Sequence, residues 1–395
     1  MLLGLLAALP ALSIDISTPT LPLLPAALGT STMMAEFTLS LFMVGFAFGQ
    51  LAGGRQSDRR GRRPVLLAGL AAYTLAGIGC ALSLSGPALV MFRCVQGLGA
   101  GACSVLSFAI VQDLFHGDIA RTKRSYVVVV VGVVPILAPA MGSGLSVFAG
   151  WRSVHWVLAL GGAILSAITW FGIAETRQRP PAAMVPVVTS RPVRLRDDRY
   201  FVGLAMANAL SYGAIFAYIA GSPIVIIGSM GFSSVVFAAV FACTAAALTA
   251  GAWTSGRVGR RGLGASALLG PSLWVATAAT LVLAVESVGG AARAALLLLP
   301  LLITLFARGV TAPNLQHLAI ERRREQAGAA SAAIGVSQLL SGALASVIVS
   351  LFLPGGGASA VAVPMAVLAA LALLIWLWTV RRHGNSERLP EERPI

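Results

Sequence analysis

The stretch GRQSDRRGRRPVLLAG, Gly54 to Gly69, packs five arginines into a short turn and then runs directly into an apolar segment. The chain around it is 57% hydrophobic and only 11% charged, whereas a soluble globule is about 45–50% apolar. Such a concentration of like charge marks either an anchor in water beside a membrane or part of a moving gate. Mean hydropathy is +0.86, and apolar runs recur along nearly the whole length, so the chain reads as a polytopic membrane protein.

A membrane-spanning helix needs roughly 20 predominantly apolar residues. Twelve such segments occur, numbered helices 1–12: 1–24, 34–54, 64–83, 87–113, 124–148, 152–174, 200–226, 235–255, 264–285, 292–314, 327–351 and 361–380. The expected class is therefore an all-α membrane protein. All but four of the 28 Lys and Arg residues fall on one side if both termini share that side; the exceptions are Arg93, Arg152, Arg293 and Arg308. By the positive-inside rule that side is the cytoplasm. The net charge of +14 then reports topology, and no nucleic-acid partner is expected.

Cys80, Cys94, Cys103 and Cys243 lie in apolar segments without disulfide or CxxC spacing, and read as packing residues. His116, His155, His317 and His383 are scattered, so no metal site and no cofactor are expected. No GxxxxGK[ST] loop and no grouped nucleophile, base and orienting residue occur, which argues against an enzyme. The opening MLLGLLAALPALS resembles a signal-peptide core but has no basic residue in front; it is read as helix 1, with a short cytoplasmic tail expected before Met1.

The polar, Pro-rich segment 175–199 divides six helices from six. The expected organisation is a six-helix bundle at 1–174, a cytoplasmic linker at 175–199, a second bundle at 200–381 and a tail at 382–395. Each half carries a Gly/Arg turn after its second helix; the second copy is SGRVGRRG, Ser255 to Gly262. Tandem six-helix repeats mark a transporter whose site lies between halves that rock against each other.

Three further stretches carry chemistry. In helix 4, RCVQGLGAG places Arg93, Gln96 and Gly97 on one face, with Gly97 and Gly101 forming a small-residue surface. An arginine there needs a partner, unless it snorkels to the surface. In helix 1, SIDISTPTLPLLP holds Asp15 about 21 Å along the helix at ~1.5 Å per residue, past the midplane of a ~30 Å core. An acid at that depth costs roughly 2.5–3.5 kcal/mol to insert and is a functional candidate by default. Burial and a nearby Arg93 would act on it in opposite senses, leaving an acid poised to exchange protons. The competing reading has Asp15 capping a break before Pro19 or sitting in a watery vestibule. In helix 5, GVVPILAPAMGSG puts Pro135 and Pro139 on one face, followed by Gly142 and Gly144, so a kinked, closely packed hinge is expected, with Pro135, Pro139 and Gly142 as gating candidates.

Gly54, Asp58 and Gly61 set around Arg59, Arg62 and Arg63 match the pattern G-x-x-x-D-R-x-G-R-[RK], and here the chain resembles the major facilitator superfamily. The glycines would permit a tight turn and close helix approach. Asp58 and the arginines would latch the inner gate through charge-assisted bonds. The resemblance further implies that Asp58 faces the N-terminal end of helix 11. R-x-x-Q-G in helix 4 is similar to that of proton-coupled members, and the helix 5 stretch resembles the antiporter motif, with Ala138 and Ser143 as departures. Together with GWRSVHW, AETR and FAYIAGSPIVI, these stretches resemble drug exporters of the bicyclomycin and chloramphenicol type. Gln112 departs from the arginine usual there, so Asp113 reads as a solvated helix terminus.

The function implied is proton-coupled export of lipophilic drugs, driven by the proton gradient, by a monomer in the bacterial inner membrane with both termini cytoplasmic. Asp15 and Arg93 are the proton-coupling candidates. Phe42, Phe46, Gln96, Asn208, Tyr212, Phe216 and Tyr218 would line the substrate cavity as apolar walls with a few polar handles. Glu36 is assigned to the first turn of helix 2, favoured there by the helix dipole. Asn314 and Gln338 read as interhelical hydrogen-bonding residues. The rival is a metabolite or sugar permease of the same fold, which would need more polar residues in helices 1, 4, 7 and 10.

Overall fold

The structure, a computed structural model, describes residues 1–115, 117–176, 195–288, 294–321 and 326–386. His116, Arg293, most of the 175–199 linker and the end of the tail lie outside the described residues. Twelve helices are long and apolar enough to cross a membrane: Leu2–Leu28, Thr32–Arg60, Arg62–Leu82, Gly86–Leu114, Tyr126–Ala149, Trp151–Gly172, Arg199–Ser229, Ser234–Gly259, Ala265–Val288, Leu297–Glu321, Ala329–Leu353 and Ser359–Arg382. They correspond in order to helices 1–12. No strand occurs among the described residues.

The decisive turn differs from its expected form. Helix 2 runs on through Arg60 and helix 3 starts at Arg62, leaving Gly61 alone as the connection at φ 102°. Only glycine adopts that conformation without strain. Gly54, by contrast, sits within helix 2 with open space where a Cβ would stand.

Helix 1 is regular from Leu2 to Asp15, then tightens into a 3-10 segment, Thr18–Leu23, and a short helix, Leu24–Leu28. Pro19, Pro22 and Pro25 remove the N–H groups that a continuous α-helix would need. Helix 5 continues through both Pro135 and Pro139 within a helix that begins earlier than expected, Gly117–Ala149. Helix 7 passes into a π-helical turn at Ile224–Ser229, directly after Pro223.

The chain divides into two compact units. One holds Met1–Val185, Phe216–Ala246 and Ala343–Val361; the other holds Pro186–Ile215, Ala247–Gly342 and Ala362–Ile395. Parts of helices 7, 8 and 11 thus belong with helices 1–6. In that first unit Ser40 of helix 2 donates to Ser346 of helix 11 at 2.9 Å, and Ser143 of helix 5 donates to the Ser234 carbonyl of helix 8 at 3.0 Å.

Its helices 2 and 4 touch backbone to backbone. A Cβ on Gly97 would stand 2.0 Å from the Phe42 carbonyl oxygen, and one on Gly45 would stand 2.0 Å from that of Cys94. The second unit repeats the device between helices 8 and 10: Gly251 lies against the Phe306 carbonyl and Gly309 against that of Leu248. Its apolar core gathers Phe201, Leu204, Leu269, Leu273, Leu315 and Ile334.

Candidate functional site

The site in the first unit grows from the break in helix 1. Where the α-helix gives way, small hydroxyl side chains bond back to its backbone: Ser13 Oγ donates to the Leu9 carbonyl at 2.6 Å, Thr18 Oγ1 to that of Asp15 at 2.8 Å and Thr20 Oγ1 to that of Ser17 at 2.7 Å. Ser17 Oγ donates to the Ser13 carbonyl. This run of Ser and Thr supplies polar atoms from within the segment, so the break can be buried. Asp15, the last residue of the regular helix, is 4% exposed. It stands at the break before Pro19, where the alternative reading also placed it, and is largely withdrawn from solvent.

Arg93 reaches the same place from helix 4. It is 1% exposed and does not snorkel. Its Nη1 donates to Gln96 Oε1 at 2.9 Å and its Nη2 to the Ser13 carbonyl at 3.1 Å, while its guanidinium stacks 4.5 Å from the Phe42 ring centroid. The close approach of helices 2 and 4, permitted by Gly45 and Gly97, puts Phe42 under that cation. Arg93 therefore holds the backbone two residues before Asp15, and no ion pair joins the two side chains among the described residues. Arg93 Nε and Gln96 Nε2 are buried without hydrogen-bond partners.

Two residues that were not singled out from sequence, Tyr73 and His155, and one that was, Gly142, complete this cluster. Tyr73 of helix 3, fully buried, shares a 2.7 Å hydrogen bond with Ser13 Oγ. His155 of helix 6 is buried within electrostatic range of Arg93, with Nδ1 unpartnered and its ring edge-on to Trp151. The available signal was an isolated polar residue in an apolar run, the same one that marked Asp15. Gly142 of helix 5 closes on the break, since a Cβ there would stand 2.0 Å from the Ile16 carbonyl oxygen.

Of the remaining substrate-lining candidates, Tyr218 belongs to this unit. It bonds Thr244 Oγ1 at 3.1 Å, stacks on Phe241 at 5.9 Å and lies within electrostatic range of Asp15. Phe216 is buried and Phe46 half-buried, both in the same unit. Asn208 and half-buried Tyr212 belong to the second unit. There Asn208 Oδ1 accepts from Arg308 Nη2 at 3.1 Å. Arg308 is 3% exposed, with Nε and Nη1 lacking partners, midway along helix 10. Asn314 donates to Ser255 Oγ at 2.9 Å, the interhelical role expected of it.

The gating candidates form a charge network. Arg62 Nη1 donates to Asp58 Oδ1 at 2.6 Å and to Ser57 Oγ at 2.7 Å, while Arg62 Nε donates to Asp113 Oδ2 at 2.8 Å. Asp113 is thus no solvated terminus; it ties the end of helix 4 to helix 3. The Glu175 carboxylate accepts the backbone N–H groups of Arg62 and Arg63, at 2.8 and 3.2 Å, and so caps helix 3. Arg63 donates to the Trp170 carbonyl at 2.7 Å and lies over that ring. Asp58 itself is largely exposed, as is Arg59.

The model of the Major Facilitator Superfamily matches residues 3–346. An uncharacterized MFS-type transporter, YdgK of Bacillus subtilis (strain 168), is 32% identical over 89% of this chain and 88% of its own length. A chloramphenicol resistance protein of Pseudomonas aeruginosa is 34% identical over 63% of this chain and 59% of its own. The multidrug resistance protein MdtL of Escherichia fergusonii is 30% identical over 59% of each. The chain thus aligns with less than two thirds of the length of these two resistance proteins. Among solved structures, a D-xylose-proton symporter superposes with a TM-score of 0.75 at 17% identity, covering 95% of this chain and 96% of the other. A bacterial homolog of the human lysosomal transporter Spinster gives 0.74 at 15% identity, covering 99% and 98%. These likenesses carry the fold alone. With twelve membrane-crossing helices, the arginine network at Gly61 and a family match over most of its length, this chain belongs to the Major Facilitator Superfamily of membrane transporters.

Proposed function

We propose that the protein is a proton-coupled exporter of lipophilic small molecules in the bacterial inner membrane, with both termini cytoplasmic. The observation that carries this reading is Asp15: a carboxyl buried at a built break in helix 1, beside an arginine-held cluster yet not paired with that arginine. An acid so placed can exchange its proton as its surroundings change. Proton and substrate would be bound better in opposite-facing states, so that their exchange drives alternating access. Arg93 would fix the geometry of the break, Phe42 and Tyr218 would offer apolar walls, and the unpartnered Gln96 and Arg93 donors would orient a neutral, oxygen-bearing substrate. The printed names of the Pseudomonas and Escherichia relatives support a drug as cargo.

A permease reading draws on one observation, the open donors of Arg308 beside Asn208, which suit a substrate rich in acceptor oxygens. Proteoliposomes separate the readings, with chloramphenicol offered under an acid lumen and D-xylose under an acid exterior. Chloramphenicol accumulates in the lumen as protons leave, and Asp15→Asn abolishes that accumulation while leaving chloramphenicol binding intact. Xylose uptake, or chloramphenicol uptake unchanged in Asp15→Asn, defeats the export scheme.

A further inference from the structure

A second buried carboxyl stands outside this mechanism. Glu36 is in the second turn of helix 2, past the Ser31 cap, and is 0% exposed; its expected place in the first turn does not hold. Both carboxylate oxygens lack a hydrogen-bond partner. One turn further on along the same helix face, Ser40 donates to Ser346 of helix 11, within the first unit. Leu39, Phe42 and Met43, all fully buried, follow on the same helix.

Among the described residues no ion pair or hydrogen bond joins a cation to it. Helix 11 contributes no titratable residue, and neither does the Thr18–Leu28 stretch. The titratable side chains of the other neighbouring helices are Asp15 of helix 1; Arg62, Arg63, Tyr73 and Cys80 of helix 3; Arg93, Cys94, Cys103 and Asp113 of helix 4; Arg199, Tyr200, Tyr212 and Tyr218 of helix 7; and Cys243 and Arg257 of helix 8. Of the cations, Arg62 and Arg63 stand at the far end of helix 2, by Asp58 and Trp170, Arg199 and Arg257 belong to the second unit, and Arg93 is engaged with Ser13, Gln96 and Phe42. A metal counter-ion lacks ligands, since no group of three His, Cys, Asp or Glu side chains comes together among the described residues.

An ionised carboxylate with neither partner nor water is not a state a folded protein sustains; such a group takes up a proton instead. We propose that Glu36 is a second proton-binding site, occupied while helix 2 and helix 11 are joined at Ser40–Ser346 and emptied when that contact parts. The step is –COOH → –COO⁻ + H⁺, the proton passing to the water that enters as the helices separate. Because the proton binds the joined state better, it stabilises the contact, and parting the contact weakens its binding by the same factor. This adds to the proton-exchange reading of Asp15 and is readable apart from it.

Infrared spectra of the full-length protein in lipid, grown with carboxyl-labelled glutamate, test the proposal. At neutral pH a protonated-carboxyl stretch that moves with the label is expected. It disappears in Glu36→Gln, survives in Asp15→Asn, and survives in Glu286→Gln, which removes another glutamate with a buried, unpartnered oxygen. In Ser40→Cys/Ser346→Cys the disulfide-closed form keeps the band to alkaline pH, whereas the reduced form loses it. Absence of any labelled band at neutral pH in the closed form overturns the site, even if Glu36→Gln fails to fold. A band equally persistent in closed and reduced forms overturns the link to the helix contact. A Glu36 band intact in an Asp15→Asn protein that no longer exchanges protons separates the two carboxyls.

Discussion

At the scale of single residues, the arginine of helix 4 does more than carry charge. Arg93 divides its donors between a backbone carbonyl and an amide oxygen, and lies flat on Phe42. Lysine keeps the charge but has neither the planar fork nor the stacking face. On the proposed export reading, Arg93→Lys is expected to weaken chloramphenicol binding on the order of tenfold, the equivalent of one lost charge-assisted hydrogen bond. Equilibrium binding to the purified protein measures it. Asp113 offers a second case. Arg62 is shared between Asp58 and Asp113, and Asp113 is the less exposed of the two. Asp113→Asn should lower thermal stability more than Asp58→Asn, because an exposed i,i+4 pair contributes only about 0.3–0.5 kcal/mol. Equal unfolding temperatures for the two variants would refute that ranking.

Helices set the site's dimensions through what they lack. Helices 2 and 4 approach until glycine Cα atoms meet carbonyl oxygens, and helix 5 meets the break in helix 1 in the same way at Gly142. Two residues on, Gly144 faces open space. Gly142→Ala should therefore destabilise by about 1–3 kcal/mol through overpacking, whereas Gly144→Ala should be neutral or slightly stabilising as a helix substitution. Thermal unfolding in detergent compares the pair, and equal shifts would mean that helix 5 does not bear on the Ile16 carbonyl. The sequence motif found helix 5 and its prolines and set Gly142 with them, but periodicity did not say which of the two glycines meets a neighbour. Which one touches a neighbour depends on how the helix is rotated, and in a uniformly apolar segment no polar face records that rotation.

For the whole molecule, the distribution of arginine makes an orientation testable without knowledge of the cargo. Single cysteines at Arg59 and Ser85, exposed ends of helix 2 and of the turn before helix 4, should react with an impermeant maleimide from opposite faces of the membrane. In intact cells the Ser85→Cys protein should label and the Arg59→Cys protein should not; the reverse pattern would invert the assigned topology. The amino-acid sequence alone determined the twelve helices, the duplicated Gly/Arg turn and the presence of Asp15 and Arg93 within apolar segments, because insertion into a bilayer depends on local hydropathy and charge that any short window reveals. Only the tertiary structure decided that Arg93 binds the Ser13 backbone and leaves Asp15 unpaired, that Glu175 and Asp113 complete the arginine network, and that Glu36 is sealed without a partner. Those outcomes depend on which faces of distant segments meet, and contacts between residues far apart in the chain leave no periodic trace in the segments that make them.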